Sequence, residues 1–238
     1  MRRIKRMDPA DTADLLEELD GEDRDRLFEL LDAETASDVL VEMDPPYLED
    51  VVDEMPSGRL ANLADFMAPD DAVRLLGELD EEQSAEVLAE MKDSAEVSSL
   101  LRYGEQSAGQ RMTTEYLAFP AGTPVREVRA ALLPYEPTDP VFYVYATEEE
   151  TERLVGVATI KNVFTAPLHA QIGDIAHTDY VHCHVEDDQE DVARMFRKYD
   201  LWVIPVLDPE DRLVGRITAD DILDVLHEEA NEDLRSEE

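Results

Sequence analysis

Cysteine is nearly missing from this 238-residue chain. Cys183 stands alone, so no intrachain disulfide can form, and a reducing compartment is the simplest setting. Lysine is scarce as well, with 4 against 17 arginines. No apolar run is long. Val141–Ala146 and Leu201–Leu207 fall far short of the roughly 20 residues that span a bilayer. The basic start, Met1 to Arg6, runs into Asp8-Pro9 and not into an apolar stretch, so no signal peptide is expected. The chain reads as soluble, with no membrane insertion of its own.

Carboxylate is what abounds. Asp and Glu total 59 against 21 Lys and Arg, a net charge of −38. Such a field repels polyanions, which excludes nucleic-acid binding by phosphate neutralisation and disfavours anionic lipid surfaces. It favours metal cations or basic partners. Strong acidity with little lysine also suits a protein kept soluble in high salt, where screening removes the self-repulsion. An extremely acidic region in a low-salt cell gives the same arithmetic.

From Pro9 to Gly104 the chain divides into eight blocks of 12 residues. Block positions 7, 8 and 11 are apolar in most of them, as in Leu15, Leu16, Leu19 and again in Val39, Leu40, Met43. A doublet with a third apolar residue one turn on is a helix stripe. Asp20, Asp32, Asp44 and Asp80 close their blocks, where an Asp can cap the next helix. Asp20 with Asp23, and Asp80 with Gln83, have capping-box spacing. Helices this short are unstable alone, so the blocks are expected to stack into a superhelix around a continuous seam.

After Gly104 the texture changes. Gly104 and Gly109 have P-loop spacing, but Gln110-Arg111 follows where Lys-Ser/Thr is required, so the segment reads as a linker. Beyond it come two copies of one strand–helix–strand–strand–helix pattern. Thr114 and Tyr116 align with Thr178 and Tyr180 at an offset of 64, and Leu154-Val155-Gly156 with Leu213-Val214-Gly215 at an offset of 59. His182 and His184 fall on one face of a strand and Cys183 on the other. Two imidazoles alone do not complete a structural zinc site, and His177 is the nearest further candidate. No nucleophile–base pair stands out, so an enzyme is not expected.

The run Ile204-Pro205-Val206-Leu207-Asp208, followed by Leu213-Val214-Gly215 and Thr218-x-x-Asp221, resembles a CBS domain, and the duplication resembles a CBS tandem. With the acidic helical repeats before it and an acidic segment after it, the whole resembles the cytosolic region of the MgtE family of magnesium channels and transporters. The resemblance implies an α + α/β architecture. It comprises a helical superhelix over 1–104, a linker over 105–111, CBS domains over 112–170 and 171–226, and an exit helix over 227–238 leading toward a membrane pore. It implies a cytoplasmic Mg²⁺ sensor that pairs as a homodimer through its CBS domains. Ions bridging the superhelix, the CBS pair and the exit helix would compact the dimer and shut the pore.

Carried over residue by residue, the implied Mg²⁺ ligands are Asp38, Asp70, Asp71, Asp200, Asp221, Asp224, Glu229, Glu232 and Asp233. Arg74 stands where the family can place another acid, which weakens one bridge. The exit segment also speaks for itself. The stripe of Ile222, Val225 and Leu226 runs on into Glu229 and Asp233, so a buried face turns acidic and must meet water, cations or a partner. CBS pairs also bind ATP or other adenine nucleotides. Thr159, Asn162, Thr218 and Asp221 occupy those motif positions, with Asn162 in place of the usual Asp and Leu201 in place of a stacking aromatic. The alternative is therefore a nucleotide-responsive CBS regulator whose superhelix binds a protein partner.

The charge makes one prediction. The melting temperature should rise as KCl goes from dilute to molar; an insensitive melting temperature would contradict the high-salt reading.

Overall fold

Helix follows helix at an almost constant period through the first half. In the computed structural model, which describes residues 7–53, 55–92, 94–133 and 142–222, the helices are α1 Pro9–Glu17, α2 Gly21–Phe28, α3 Ala33–Val41, α4 Pro45–Val52, α5 Ser57–Ala64, α6 Pro69–Gly77, α7 Glu81–Glu90 and α8 Ala95–Leu100. Seven of the eight begin where the 12-residue blocks begin, and α8 starts two residues late. The chain divides by its contacts into two units, Met1–Arg102 and Tyr103–Glu238.

In the first unit the main packing runs between helices two places apart, α1 on α3, α3 on α5, α5 on α7 and α6 on α8, while α2 packs on its neighbour α1. The repeated apolar positions form the seam, with Leu16, Phe28, Leu40, Val52 and Leu76 all buried. Polar contacts follow the same step. Asp44 N donates to Glu17 at 2.8 Å, and Lys92 N donates to Asp65 at 2.8 Å. Asp8, Asp20, Asp32 and Asp80 cap their helices by accepting from backbone N–H groups. Asp44 does not: its side chain makes no cap bond, although the Tyr47 N–H, the equivalent of the donors used in α2, α3 and α7, is present and bonds the Asp44 carbonyl at 3.0 Å. The reciprocal half of the Asp80–Gln83 box is also missing, because the Gln83 amide reaches the Met55 carbonyl instead.

The second unit is built of two like halves. Sheet one has β1 Ala118–Pro120 parallel to β2 Tyr143–Thr147, which pairs antiparallel with β3 Leu154–Thr159. Sheet two repeats this with β4 Cys183–His184, β5 Val203–Leu207 and β6 Leu213–Thr218. Crossovers α10 Val125–Leu132 and α13 Gln189–Tyr199 join the parallel strands, and α11 Ile160–Thr165 follows β3. Each middle strand carries an irregularity at the same place, Ala146/Thr147 and Val206/Leu207. Each following turn puts one non-glycine residue in the left-handed region, Glu152 and Asp211.

The two halves are tied by reciprocal bonds. The Tyr116 hydroxyl donates to the Leu213 carbonyl at 3.0 Å, and the Tyr180 hydroxyl to the Leu154 carbonyl at 2.8 Å. Between the sheets Tyr145, Leu154, Leu207 and Leu213 pack together with both tyrosines. Residues 105–111 differ from the expected linker. Helix α9, Ala108–Arg111, is the counterpart of α12, Ile172–Ile175, and each lies on the other copy's sheet. The Ala108 and Gly109 N–H groups donate to Asp187 and Val185 carbonyls; those of Ile172 and Gly173 donate to Thr123 and Ala121. Four residues are too few to show a helical stripe, and distant carbonyls set the conformation.

The same close approach explains two glycines. A Cβ on Gly215 would lie 2.5 Å from Met112 Sδ and 2.9 Å from the Thr113 carbonyl oxygen; one on Gly156 would lie 3.0 Å from the His177 carbonyl oxygen. Gly215→Ala should therefore cost about 1–3 kcal/mol of stability. Gly77→Ala, in open space at the end of α6, should gain up to about 1 kcal/mol. Denaturant titration of both variants checks the pair, and equal effects would contradict the packing account.

Candidate functional site

The two halves present one motif in two chemical states. In the second, Thr218 ends β6, and Asp221 sits one helical turn on. Asp221 Oδ2 accepts from the Thr218 N–H at 3.1 Å and from its hydroxyl at 2.5 Å. An acceptor-only carboxylate fixed this way suits a ribose hydroxyl or a hydrated cation. In the first, Thr159 caps α11, and its hydroxyl donates to Asn162 Oδ1 at 2.8 Å while accepting from the Asn162 N–H at 3.1 Å. The Asn162 amide nitrogen then donates to the Ile175 carbonyl at 3.3 Å and lies 3.1 Å from His177 Nε2. Asn162 is thus committed on both sides. His177 occupies the place of Thr113 in the other copy: His177 pairs through its backbone with Val157, and Thr113 with Arg216. Leu201 is half-buried beside the left-handed Asp200.

The acidic positions fall on separate elements. Asp38 lies exposed on α3. Partial burial pushes its carboxyl up, and the Glu34 and Asp32 charges add to the shift. Asp70 and Asp71 stand in the first turn of α6, where the helix dipole favours negative charge. Asp71 lies 3.7 Å from the Arg74 guanidinium, which also bonds the Val41 carbonyl. Arg74 is thus a cation fixed beside Asp71. Asp200 closes α13 in the left-handed conformation, exposed. Asp224, Glu229, Glu232 and Asp233 lie outside the described residues. Among the described residues no three His, Cys, Asp or Glu side chains form a ready metal cage. Cys183 is buried, and burial with the nearby Asp187 pushes its thiol up to about 12, which makes it neither nucleophile nor ready ligand.

Known proteins share this arrangement. The family model for the MgtE intracellular N domain matches residues 7–106, and that for the CBS domain matches residues 172–228. A solved structure described as the soluble part of a magnesium transporter superposes with a TM-score of 0.82 at 30% identity, covering 96% of this chain and 91% of that one. The chain belongs to the MgtE family. A second solved structure, the cytosolic domain of the Mg²⁺ channel MgtE in complex with ATP, superposes with a TM-score of 0.82 at 32% identity, covering 94% of this chain and 92% of that one. The magnesium transporter MgtE of Thermus thermophilus is 40% identical over 148 residues, 62% of this chain and 33% of its own length. That of Enterococcus faecalis is 36% identical over 143 residues and 31% of its own length. The chain thus spans about a third of the curated MgtE relatives it matches. Among the described residues no helix is long and apolar enough to cross a membrane. The fold is the expected one, a helical repeat unit and a CBS pair, and the MgtE family is one of transporters, not of enzymes.

Asp38 supplies a pH test. A carboxyl raised by folding binds its proton more tightly folded than unfolded, so its ionised form opposes folding, and the opposition fades as pH falls through the folded value. In chelator-treated protein Asp38→Asn should raise the neutral-pH melting temperature slightly, with the gain vanishing in acid. A fall at neutral pH would contradict this.

Proposed function

We propose that the chain is the Mg²⁺-sensing regulatory part of an MgtE-type magnesium transporter, working on the cytosolic side of the membrane and next to a transmembrane pore. One observation carries this reading: acidic helical repeats and a CBS tandem occur together, and match the soluble part of a magnesium transporter across nearly all of both chains. Mg²⁺ is a hard cation that keeps most of its water, so a few facing carboxylates make a weak site fit for millimolar concentrations. The ligands proposed are Asp38, Asp70 and Asp71 from the helical unit, Asp200, Asp221 and Asp224 from the CBS pair, and Glu229, Glu232 and Asp233 from the exit segment. At high Mg²⁺ these carboxylates share ions and the parts close; at low Mg²⁺ their repulsion opens them. Two chains pair through their CBS domains, so both exit segments act on one pore. The Asp71–Arg74 pair lowers the charge available to one bridge.

Adenine nucleotide is a second ligand on this reading. The ATP complex of a relative supports it, as does the Thr218–Asp221 turn. Asn162 speaks for a weakened first copy, since its amide already serves the Ile175 carbonyl and faces His177. Tight ATP binding in the absence of divalent cation would favour the nucleotide-responsive regulator over the magnesium sensor.

The test is thermal unfolding against Mg²⁺. Mg²⁺ should raise the melting temperature over the millimolar range. Asp221→Asn combined with Asp224→Asn should cut that rise by half or more without lowering the Mg²⁺-free value. An unchanged Mg²⁺ response would remove these two residues from the site.

A further inference from the structure

The edge of the second sheet carries side chains that its counterpart lacks. Cys183 points inward from β4, while His182 is exposed and His184 half-exposed. The two imidazole centroids are 5.4 Å apart, and the Tyr180 ring stands 5.7 Å from His182. The turn between β5 and β6 then brings Asp211 Oδ1 to 3.7 Å from His184 Nε2. The duplication provides an internal reference. The strand pairing puts Ala118 where His182 stands and Pro120 where His184 stands, with Glu152 in the place of Asp211. In the first copy β1 forms the same parallel ladder with Ala118 and Pro120. The fold therefore requires no imidazole at either position.

Residues two apart on a strand project to the same side. Two imidazoles with one carboxylate make an N,N,O donor set. Zn²⁺, Ni²⁺ and Cu²⁺ favour such a set, whereas Mg²⁺ takes oxygens. We propose that His182, His184 and Asp211 form a binding site for a nitrogen-preferring divalent transition-metal ion, separate from the magnesium carboxylates. A tetrahedral metal with bonds of about 2.1 Å holds its donors about 3.4 Å apart. The His184–Asp211 separation is already close to that. The three side chains do not stand as a formed cage, but those of His184 and Asp211 are 41% and 60% exposed and His182 is exposed, so packing does not block the rotations that an arriving ion would have to induce. With three protein donors the ion keeps a water position, which makes the site a reversible binding site and not a structural staple.

The experiment is calorimetric titration of Ni²⁺ into the full chain in excess Mg²⁺, which occupies the oxygen sites. The expected result is one Ni²⁺ per chain. His182→Ala, which installs the residue of the first copy, and His184→Ala should each weaken binding at least about tenfold, and Asp211→Asn should weaken it several-fold. Cys183→Ser should leave it unchanged. Metal-free melting curves of the variants establish that they are folded, and paramagnetic broadening of the His182 and His184 ring resonances by Ni²⁺ gives a readout on the unaltered chain. Absence of binding in excess Mg²⁺, binding that survives both histidine substitutions, or broadening confined to other histidines would each overturn the proposal.

Discussion

Repulsion among carboxylates is the constraint that the rest of this structure answers. A net charge of −38 must be held at close range by apolar packing, with only 21 basic residues to help. Part of the acid is turned to advantage. Asp8, Asp20, Asp32 and Asp80 face the orphan N–H groups of helix starts, where a carboxylate stabilises. Part is paired with a cation: Asp71 with Arg74, Asp50 with the largely buried Arg24, and the largely buried Asp65 with Lys92. Other acids pair at the surface, as Glu190 and Asp191 do with Arg194. Asp38 is exposed on α3, and its carboxyl is raised by partial burial and by the Glu34 and Asp32 charges. A surface loaded in this way lowers its energy when a cation arrives, which is the physical basis of the proposed sensing.

The second half shows how duplication separates backbone from chemistry. Both copies keep the reciprocal tyrosine-to-carbonyl bonds, the irregular middle strand, the left-handed turn residue and the glycine against the neighbouring segment. What differs is the side chain on that frame. Asp221 stands opposite Asn162 in the alignment of copies, Thr113 opposite His177, and His182 and His184 opposite Ala118 and Pro120. The proposed ligand chemistry therefore falls mostly in the second copy, which also holds Asp200 and leads into the acidic C-terminal segment.

Much of this was legible in the sequence, for reasons that can be named. The helix starts were readable because an apolar doublet recurs every 12 residues, and a local period needs no long-range information. The copies were readable because Tyr116 and Tyr180 align, although the carbonyls they reach are 97 and 26 residues away and belong to the other copy. What stayed hidden depends on long-range placement. The conformation of α9 is set by carbonyls of Val185 and Asp187. The Asn162–His177 contact follows from the bridge between Val157 and His177. The approach of Asp211 to His184 follows from the β4–β5–β6 order. Asp44 makes no side-chain cap bond although the local sequence offers one, since the Tyr47 N–H stands where Asp23, Thr35 and Gln83 donate to the other caps.

The central claim is that Mg²⁺ couples the acidic parts of this chain. Small-angle X-ray scattering during a Mg²⁺ titration at constant high ionic strength, with Na⁺ as the control, tests it most directly. The account predicts a dimer whose radius of gyration falls over the millimolar Mg²⁺ range and stays constant with Na⁺. A profile that is flat in Mg²⁺, or that contracts equally with Na⁺, would contradict it.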